Sequence, residues 1–103
     1  MVKNADFLTS QGRQIAITAT QALETFDHEA LTDASSGAIT LTLPSAVGIA
    51  GKRYDVKRVN SGGNNVVIAT TGSETIDGAS TQTLSTQYDS FTFVSNGSNW
   101  FIL

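Results

Sequence analysis

Short runs of alternating apolar and polar residues are the dominant pattern along this chain. In residues 38–43, Ile39, Leu41 and Leu43 are separated by threonines, and this period of two predicts a strand with one buried face. Pro44 should end that strand, because proline cannot donate to a sheet ladder. Further strands of the same kind are predicted within 14–20, 52–60, 65–70 and 81–85.

The last part of the chain predicts a hairpin. Two runs rich in β-branched and aromatic residues, 88–95 and 98–103, flank Asn96-Gly97, a pair that tolerates the positive φ angles of a tight turn. A second hairpin is predicted over residues 52–70, around the turn Ser61-Gly62-Gly63-Asn64. Trp100 and Phe101 are neighbours on a strand, so at least one of them should lie in the core.

Two segments are less regular. In residues 21–34, Leu23, Phe26 and Leu31 have the spacing of a helical stripe, but the threonines and acids around them also suit a strand and a turn. Because the surroundings are β-rich, we favour strand and turn. Residues 1–13 show little periodicity and are predicted to form an N-terminal arm.

Together these elements predict an all-β protein. The 103 residues suit one domain, which we place at residues 14–103. About seven to eight short strands at this spacing are typical of a sandwich or barrel. Helices do not alternate with strands, which argues against a parallel sheet. The predicted fold is therefore a compact antiparallel β-sandwich or barrel with an N-terminal arm.

Composition narrows the range of partners. The net charge is −3 and no basic stripe is present, so nucleic acid is not an expected partner. Lys52, Arg53, Lys57 and Arg58 do cluster, and we interpret them as a solvated or interfacial strand face. No apolar run approaches the ~18–20 residues of a membrane span, and no secretory signal is recognisable. Disulfides are excluded because cysteine is absent.

Candidate chemistry centres on His28, the one histidine. A metal site built from His28 with Glu24, Asp27, Glu29 and Asp33 is conceivable, but strong zinc sites have several His or Cys ligands at fixed spacing. A surface turn is the favoured interpretation. Nucleophile-elbow and oxyanion motifs are absent, and nine acids make some carboxylate pair inevitable. We therefore expect no enzyme, no cofactor, and no catalytic, cofactor-binding or metal-binding residue.

A series of turn and core motifs runs through residues 39–103. It comprises Ile39-Thr-Leu-Thr-Leu-Pro44, Gly51-Lys-Arg-Tyr54, Asn60-Ser-Gly-Gly-Asn64, Val67-Ile68, Glu74-Thr-Ile-Asp-Gly78, Gln87-Tyr88-Asp-Ser and Ser95-Asn-Gly-Ser-Asn-Trp100. The series resembles a β-rich module that recurs in tailed-bacteriophage structural proteins. That module often closes tail-fibre and tail-spike chains and also occurs in small head proteins.

The resemblance implies a virion structural protein. In fibres the module follows a long shaft, whereas here fewer than forty residues precede it, which favours a capsid decoration (cement) protein. Such proteins are typically trimers, so the expected partners are further copies of the chain, as a homotrimer, and the major capsid protein. The expected location is the phage head surface, after synthesis in the host cytoplasm. The alternative is a receptor-binding tip of a tail fibre or spike that binds host polysaccharide through Tyr88 or Trp100.

Overall fold

The computed structural model describes residues 14–25 and 27–103, which contain nine β-strands and no helix. The strands are β1 (Gln14–Ile17), β2 (Gln21–Ala22), β3 (Glu29–Thr32), β4 (Ile39–Thr42), β5 (Arg53–Arg58), β6 (Val66–Ala69), β7 (Thr81–Leu84), β8 (Ser90–Ser95) and β9 (Trp100–Ile102). They form a five-stranded sheet in the order β1-β3-β5-β8-β9 and a four-stranded sheet in the order β2-β4-β6-β7. The all-β prediction is confirmed, as is strand and turn in the ambiguous segment 21–34.

The prediction of antiparallel sheets is wrong, because both sheets are mixed. β1, β3 and β5 pair in parallel in one sheet, and β2, β4 and β6 pair in parallel in the other. Neighbouring parallel strands need a long crossover connection, which is usually a helix. Here a strand of the opposite sheet serves as that crossover, because the chain passes from one sheet to the other between successive strands from β1 to β6. Parallel pairing therefore arises without any helix.

The predicted hairpin over residues 52–70 is also wrong, because β5 and β6 belong to different sheets. The segment between them carries the chain across the body and is anchored by the buried side chain of Asn60. Asn60 Oδ1 accepts a hydrogen bond from the Ala34 backbone N–H at 2.9 Å, and Asn60 Nδ2 donates to the Asn64 carbonyl at 3.3 Å. The bond to Ala34 ties the crossing to the start of the turn at residues 34–37, and the bond to Asn64 holds the crossing segment together internally.

The predicted C-terminal hairpin is confirmed, although its turn differs from the expected one. β8 and β9 pair antiparallel, with Ser95 opposite Trp100. Gly97 has a positive φ of 95°, whereas Asn96 stabilises the loop with its side chain. Asn96 Oδ1 accepts hydrogen bonds from the backbone N–H groups of Ser98 at 3.0 Å and Asn99 at 2.9 Å. Asparagine thus acts as a local acceptor in a four-residue loop.

Positive φ angles at two successive residues occur instead at Asp77-Gly78, with φ of 51° and 86°. The flanking residues Ile76 and Ala79 exchange two backbone hydrogen bonds across this turn, at 2.7 and 2.9 Å. Asp77 Oδ1 also accepts the backbone N–H of Ile102 at 3.1 Å. This turn therefore supplies a hydrogen-bond acceptor for one backbone N–H group of the edge strand β9.

One hydrophobic core takes side chains from both sheets and follows the predicted alternation. The fully buried side chains include Ile39, Leu41 and Leu43 of the regular strand and Tyr54 and Val56 of β5. They are joined from the other strands by Val66, Ile68, Leu84, Phe93 and Trp100. The predicted arm, residues 1–13, lies outside the described residues. In the part of the chain that the structure describes, no helix is long and apolar enough to cross a membrane.

The buried phenol of Tyr54 makes stability depend on pH. Burial raises the pKa of Tyr54 to about 12, and the negative charges of Asp27 and Glu24 act in the same direction. The unfolded chain loses this proton near pH ~10. Folding therefore favours the neutral phenol, and the resulting stability is complete below pH ~10 and lost as the pH rises through about 12.

We expect the free energy of unfolding of the wild type to fall between pH ~10 and pH ~12 relative to that of Tyr54→Phe. Burial lowers the pKa of Lys52, so loss of its proton favours the folded state, an effect opposite in sign to that of Tyr54 and present in both proteins. The measurement is urea unfolding of both proteins at a series of pH values. Parallel pH profiles would contradict the prediction.

Candidate functional site

The outer face of the five-stranded sheet carries a shallow groove. Strands β3, β5 and β8 form it, and its volume is about 290 Å³. The polar side chains along it come from alternate positions of these strands, because successive residues of a strand point to opposite faces. The side chains lining this groove include Glu29, Leu31, Asp55, Lys57, Ser90 and Thr92.

The strand register places four polar residues in one row across this face. Gln14 of β1 pairs with Glu29 of β3, Glu29 with Asp55 of β5, and Asp55 with Thr92 of β8. Gln14 Nε2 donates to Glu29 Oε1 at 2.9 Å, and Thr92 Oγ1 donates to Asp55 Oδ1 at 2.5 Å. We call these four residues the polar row. Its two central members are carboxylates on directly paired residues.

His28 lies beside the polar row. It immediately precedes β3, and its carbonyl accepts the backbone N–H of Asp55 at 2.8 Å. His28 Nε2 is 3.6 Å from Asp55 Oδ2, with the two side chains 37% and 44% exposed. One imidazole or carboxylate atom from each of His28, Glu29 and Asp55 lies within 4.8 Å of the others. A set of one nitrogen and two oxygens facing solvent can bind a metal ion.

The structure thus changes which acids could join His28 in the metal site that was considered and not favoured above. Glu29 lies beside the histidine, but the other three acids have different surroundings. Asp27 Oδ2 accepts the backbone N–H of Glu24 at 2.9 Å, and Asp33 Oδ1 accepts that of Ser35 at 2.9 Å. The Ser35 hydrogen bonds lower the pKa of Asp33. Asp55, which sequence reasoning missed, becomes visible as a neighbour only once β3 and β5 are paired in parallel.

The four clustered basic residues do not share one surface. Arg58 is fully buried, and Lys52 is partly buried with its Nζ donating to the Asp27 carbonyl at 2.5 Å. Arg53 and Lys57 are on the outer face of β5. Their interpretation as one strand face is therefore wrong, because alternation along β5 sends Arg58 inward with Tyr54 and Val56. The same alternation can be read in the sequence, where Arg58 has the parity of Tyr54 and Val56.

The aromatic residues considered for ligand stacking also differ in their exposure to solvent. Trp100 is fully buried and Phe101 is 39% exposed, so it is Trp100 that points into the core. Tyr88 is 60% exposed and has a positive φ of 70°. Lys57 Nζ lies 5.8 Å from the Tyr88 ring centroid and donates to the Tyr88 carbonyl at 3.1 Å. Tyr88 is thus an exposed aromatic ring beside a residue that lines the groove.

Comparison of the chain with protein-family models and with curated protein sequences found no match.

Proposed function

We propose that this protein is a virion structural protein, a capsid decoration (cement) protein that binds and stabilises the phage head as a homotrimer. The observation that carries the proposal is the chemistry of the strands at the sheet edges. The resemblance of residues 39–103 to the phage module is the reason for proposing a virion as the assembly. The proposed partners are further copies of the chain and the major capsid protein, and the proposed location is the surface of the phage head.

Within the described residues, all four strands at sheet edges lack the charges and prolines that usually block strand addition, and at β9 the Asp77-Gly78 turn already occupies part of the edge. Within the described residues β1 and β9 border one sheet, and β2 and β7 border the other. β1 reads Gln-Ile-Ala-Ile, β2 reads Gln-Ala and β7 reads Thr-Gln-Thr-Leu, so none contains a charge or a proline. Exposed edges are commonly protected by lysine, proline or a bulge. Uncharged polar edges suit pairing with a strand of another chain.

The body behind these edges is suited to a mechanical role. Its core joins two sheets through buried apolar side chains from eight of the nine strands, including Trp100, Tyr54 and Phe93. A rigid body loses little conformational entropy on binding. If three subunits bind a shell together, weak contacts of single subunits combine into an avidity that exceeds each by orders of magnitude. These features favour adhesion over a reaction at an enclosed site.

The test is binding to expanded capsids that lack decoration protein. We expect the wild type to co-sediment with them and the edge variant Thr83→Lys to bind at least tenfold more weakly, because its charge blocks strand addition at β7. Thr83 is exposed, so the fold should tolerate the lysine. Ser98→Lys, an equal charge in the exposed C-terminal loop, is the matched control and should bind like the wild type.

Two results would contradict this proposal. The first is failure of the wild type to bind the capsids. The second is a stable monomer at micromolar concentration in sedimentation velocity, which would contradict the proposed homotrimer.

A receptor-binding tip of a tail fibre or spike is the second candidate, and exposed Tyr88 is the observation that favours it. Trp100 cannot supply the ligand platform, because it is fully buried. Binding of the wild type to host polysaccharide, lost in Tyr88→Ala and without any binding to capsids, would replace the decoration proposal with this one.

A further inference from the structure

We propose that His28, Glu29 and Asp55 form a binding site for a divalent transition-metal ion, best suited to Zn²⁺, with water from the groove completing the coordination. The site is independent of the proposed virion role. It would connect the start of β3 to the middle of β5 on the outer face of the five-stranded sheet.

The first reason is an electrostatic conflict in the polar row. Glu29 and Asp55 are paired residues on the same face, and like charges directly opposite each other on neighbouring strands are destabilising. Arg53 and Lys57 flank Asp55 on the same face of β5, and Lys57 directs its ammonium group to the Tyr88 carbonyl at 3.1 Å. Within residues 14–25 and 27–103, the ion pair that remains for these carboxylates is His28 with Asp55 at 3.6 Å. A bound cation would remove this repulsion.

The second reason is geometry. Zinc binds histidine nitrogen and carboxylate oxygen at roughly 2.0–2.2 Å, so two ligand atoms of a tetrahedral shell are separated by about 3.4 Å. His28 Nε2 and Asp55 Oδ2 are 3.6 Å apart, close to that separation. The ligand atoms of all three residues lie within 4.8 Å of one another. The third ligand, Glu29, pairs directly with Asp55 on the same face and lies within that limit.

The third reason is that neighbouring side chains orient both carboxylates. Thr92 holds Asp55 Oδ1, which leaves Oδ2 toward His28, and Gln14 holds Glu29 Oε1. Hydrogen bonds of this kind fix ligand carboxylates in metal sites. The groove gives access to solvent on the same side. A site with three protein ligands and an open position for water is a familiar zinc arrangement.

The ligand set also indicates the class of ion. Imidazole nitrogen favours zinc and other late first-row metals, whereas calcium requires six to eight oxygen ligands. The site offers one nitrogen and two carboxylates. Zinc should therefore bind more tightly than calcium or magnesium.

The experiment is calorimetric titration of ZnCl₂ into the untagged full chain at neutral pH. We expect one Zn²⁺ per chain. Asp55→Asn and His28→Gln should each weaken binding at least tenfold, whereas Asp33→Asn, an acid outside the cluster, should leave it unchanged. Thr92→Val, which removes the orienting donor, should weaken binding by about tenfold.

A second measurement keeps the test independent of the variants' folding. His28 is the only histidine, so imidazole ¹⁵N resonances report on this site alone, and saturating Zn²⁺ should shift the Nε2 signal. Unchanged ring resonances would overturn the proposal. So would equal zinc affinity in the wild type, Asp55→Asn and His28→Gln, or tighter binding of Ca²⁺ than of Zn²⁺.

Discussion

Replacement of Trp100 by alanine is expected to lower the free energy of unfolding by about 3–5 kcal/mol. The indole is fully buried between the sheets, and its ring centroid lies 5.5 Å from that of Tyr54. Trp100 Nε1 donates to the Pro44 carbonyl at 3.2 Å. The substitution therefore removes apolar burial, leaves a cavity and leaves that carbonyl without its donor. Domains of this size have total stabilities of about 5–15 kcal/mol, so the loss is a large fraction.

The measurement is urea unfolding followed by circular dichroism, and the adjacent residue provides the control. Phe101 is on the outer face and 39% exposed, so Phe101→Ala should cost less than about 1 kcal/mol. Trp100→Phe should lie between the two, since it keeps part of the volume. Similar losses for Trp100→Ala and Phe101→Ala would contradict the assignment of Trp100 to the core.

Local periodicity predicted where the strands lie better than how they pair. Ile39, Leu41 and Leu43 were expected inward and are, because alternation is a property of each strand by itself. Pairing depends on where the chain goes after a strand ends. The glycine-containing turn after β5 predicts the middle of a hairpin, but the side chain of Asn60 anchors the chain to Ala34, and the next strand, β6, lies in the opposite sheet. Nothing in the local pattern distinguishes the two routes.

The candidate site was missed for the same reason. Sequence reasoning considered acids close to His28 along the chain, and Glu29 does lie beside it. Asp55 comes near only because β3 and β5 pair in parallel with Glu29 opposite Asp55. The expectation of no metal ligand rested on the lack of several histidines at fixed spacing. That criterion does not address a cluster assembled by strand register from one histidine and two carboxylates, so the expectation of no metal-binding residue stays a prediction, which the proposed zinc site would contradict.

Arg58 differs from its prediction, because the cluster of basic residues predicts a solvated or interfacial strand face for it. Its side chain is fully buried, in line with Tyr54 and Val56 on β5. Nη2 donates to the Gly62 carbonyl at 2.6 Å and Nε to Asn60 Oδ1 at 3.4 Å, whereas Nη1 is buried without a hydrogen-bond partner among the residues that the structure describes. A buried donor with no acceptor costs about 1–3 kcal/mol. Arg58 thus fills space in the core at an electrostatic cost.

Two substitutions at Arg58 separate volume from hydrogen bonding. Arg58→Ala should lower the free energy of unfolding by about 2–5 kcal/mol, the range for truncating a long buried side chain. Arg58→Met keeps most of the buried stem and removes both the charge and the unpartnered donor, so its stability should lie within about 1 kcal/mol of the wild type. Gly62 is exposed, so water can replace the lost donor at its carbonyl. Urea unfolding of the three proteins measures the difference. If Arg58→Met were as unstable as Arg58→Ala, the hydrogen bonds to Gly62 and Asn60, and not the packed stem, would be what Arg58 contributes.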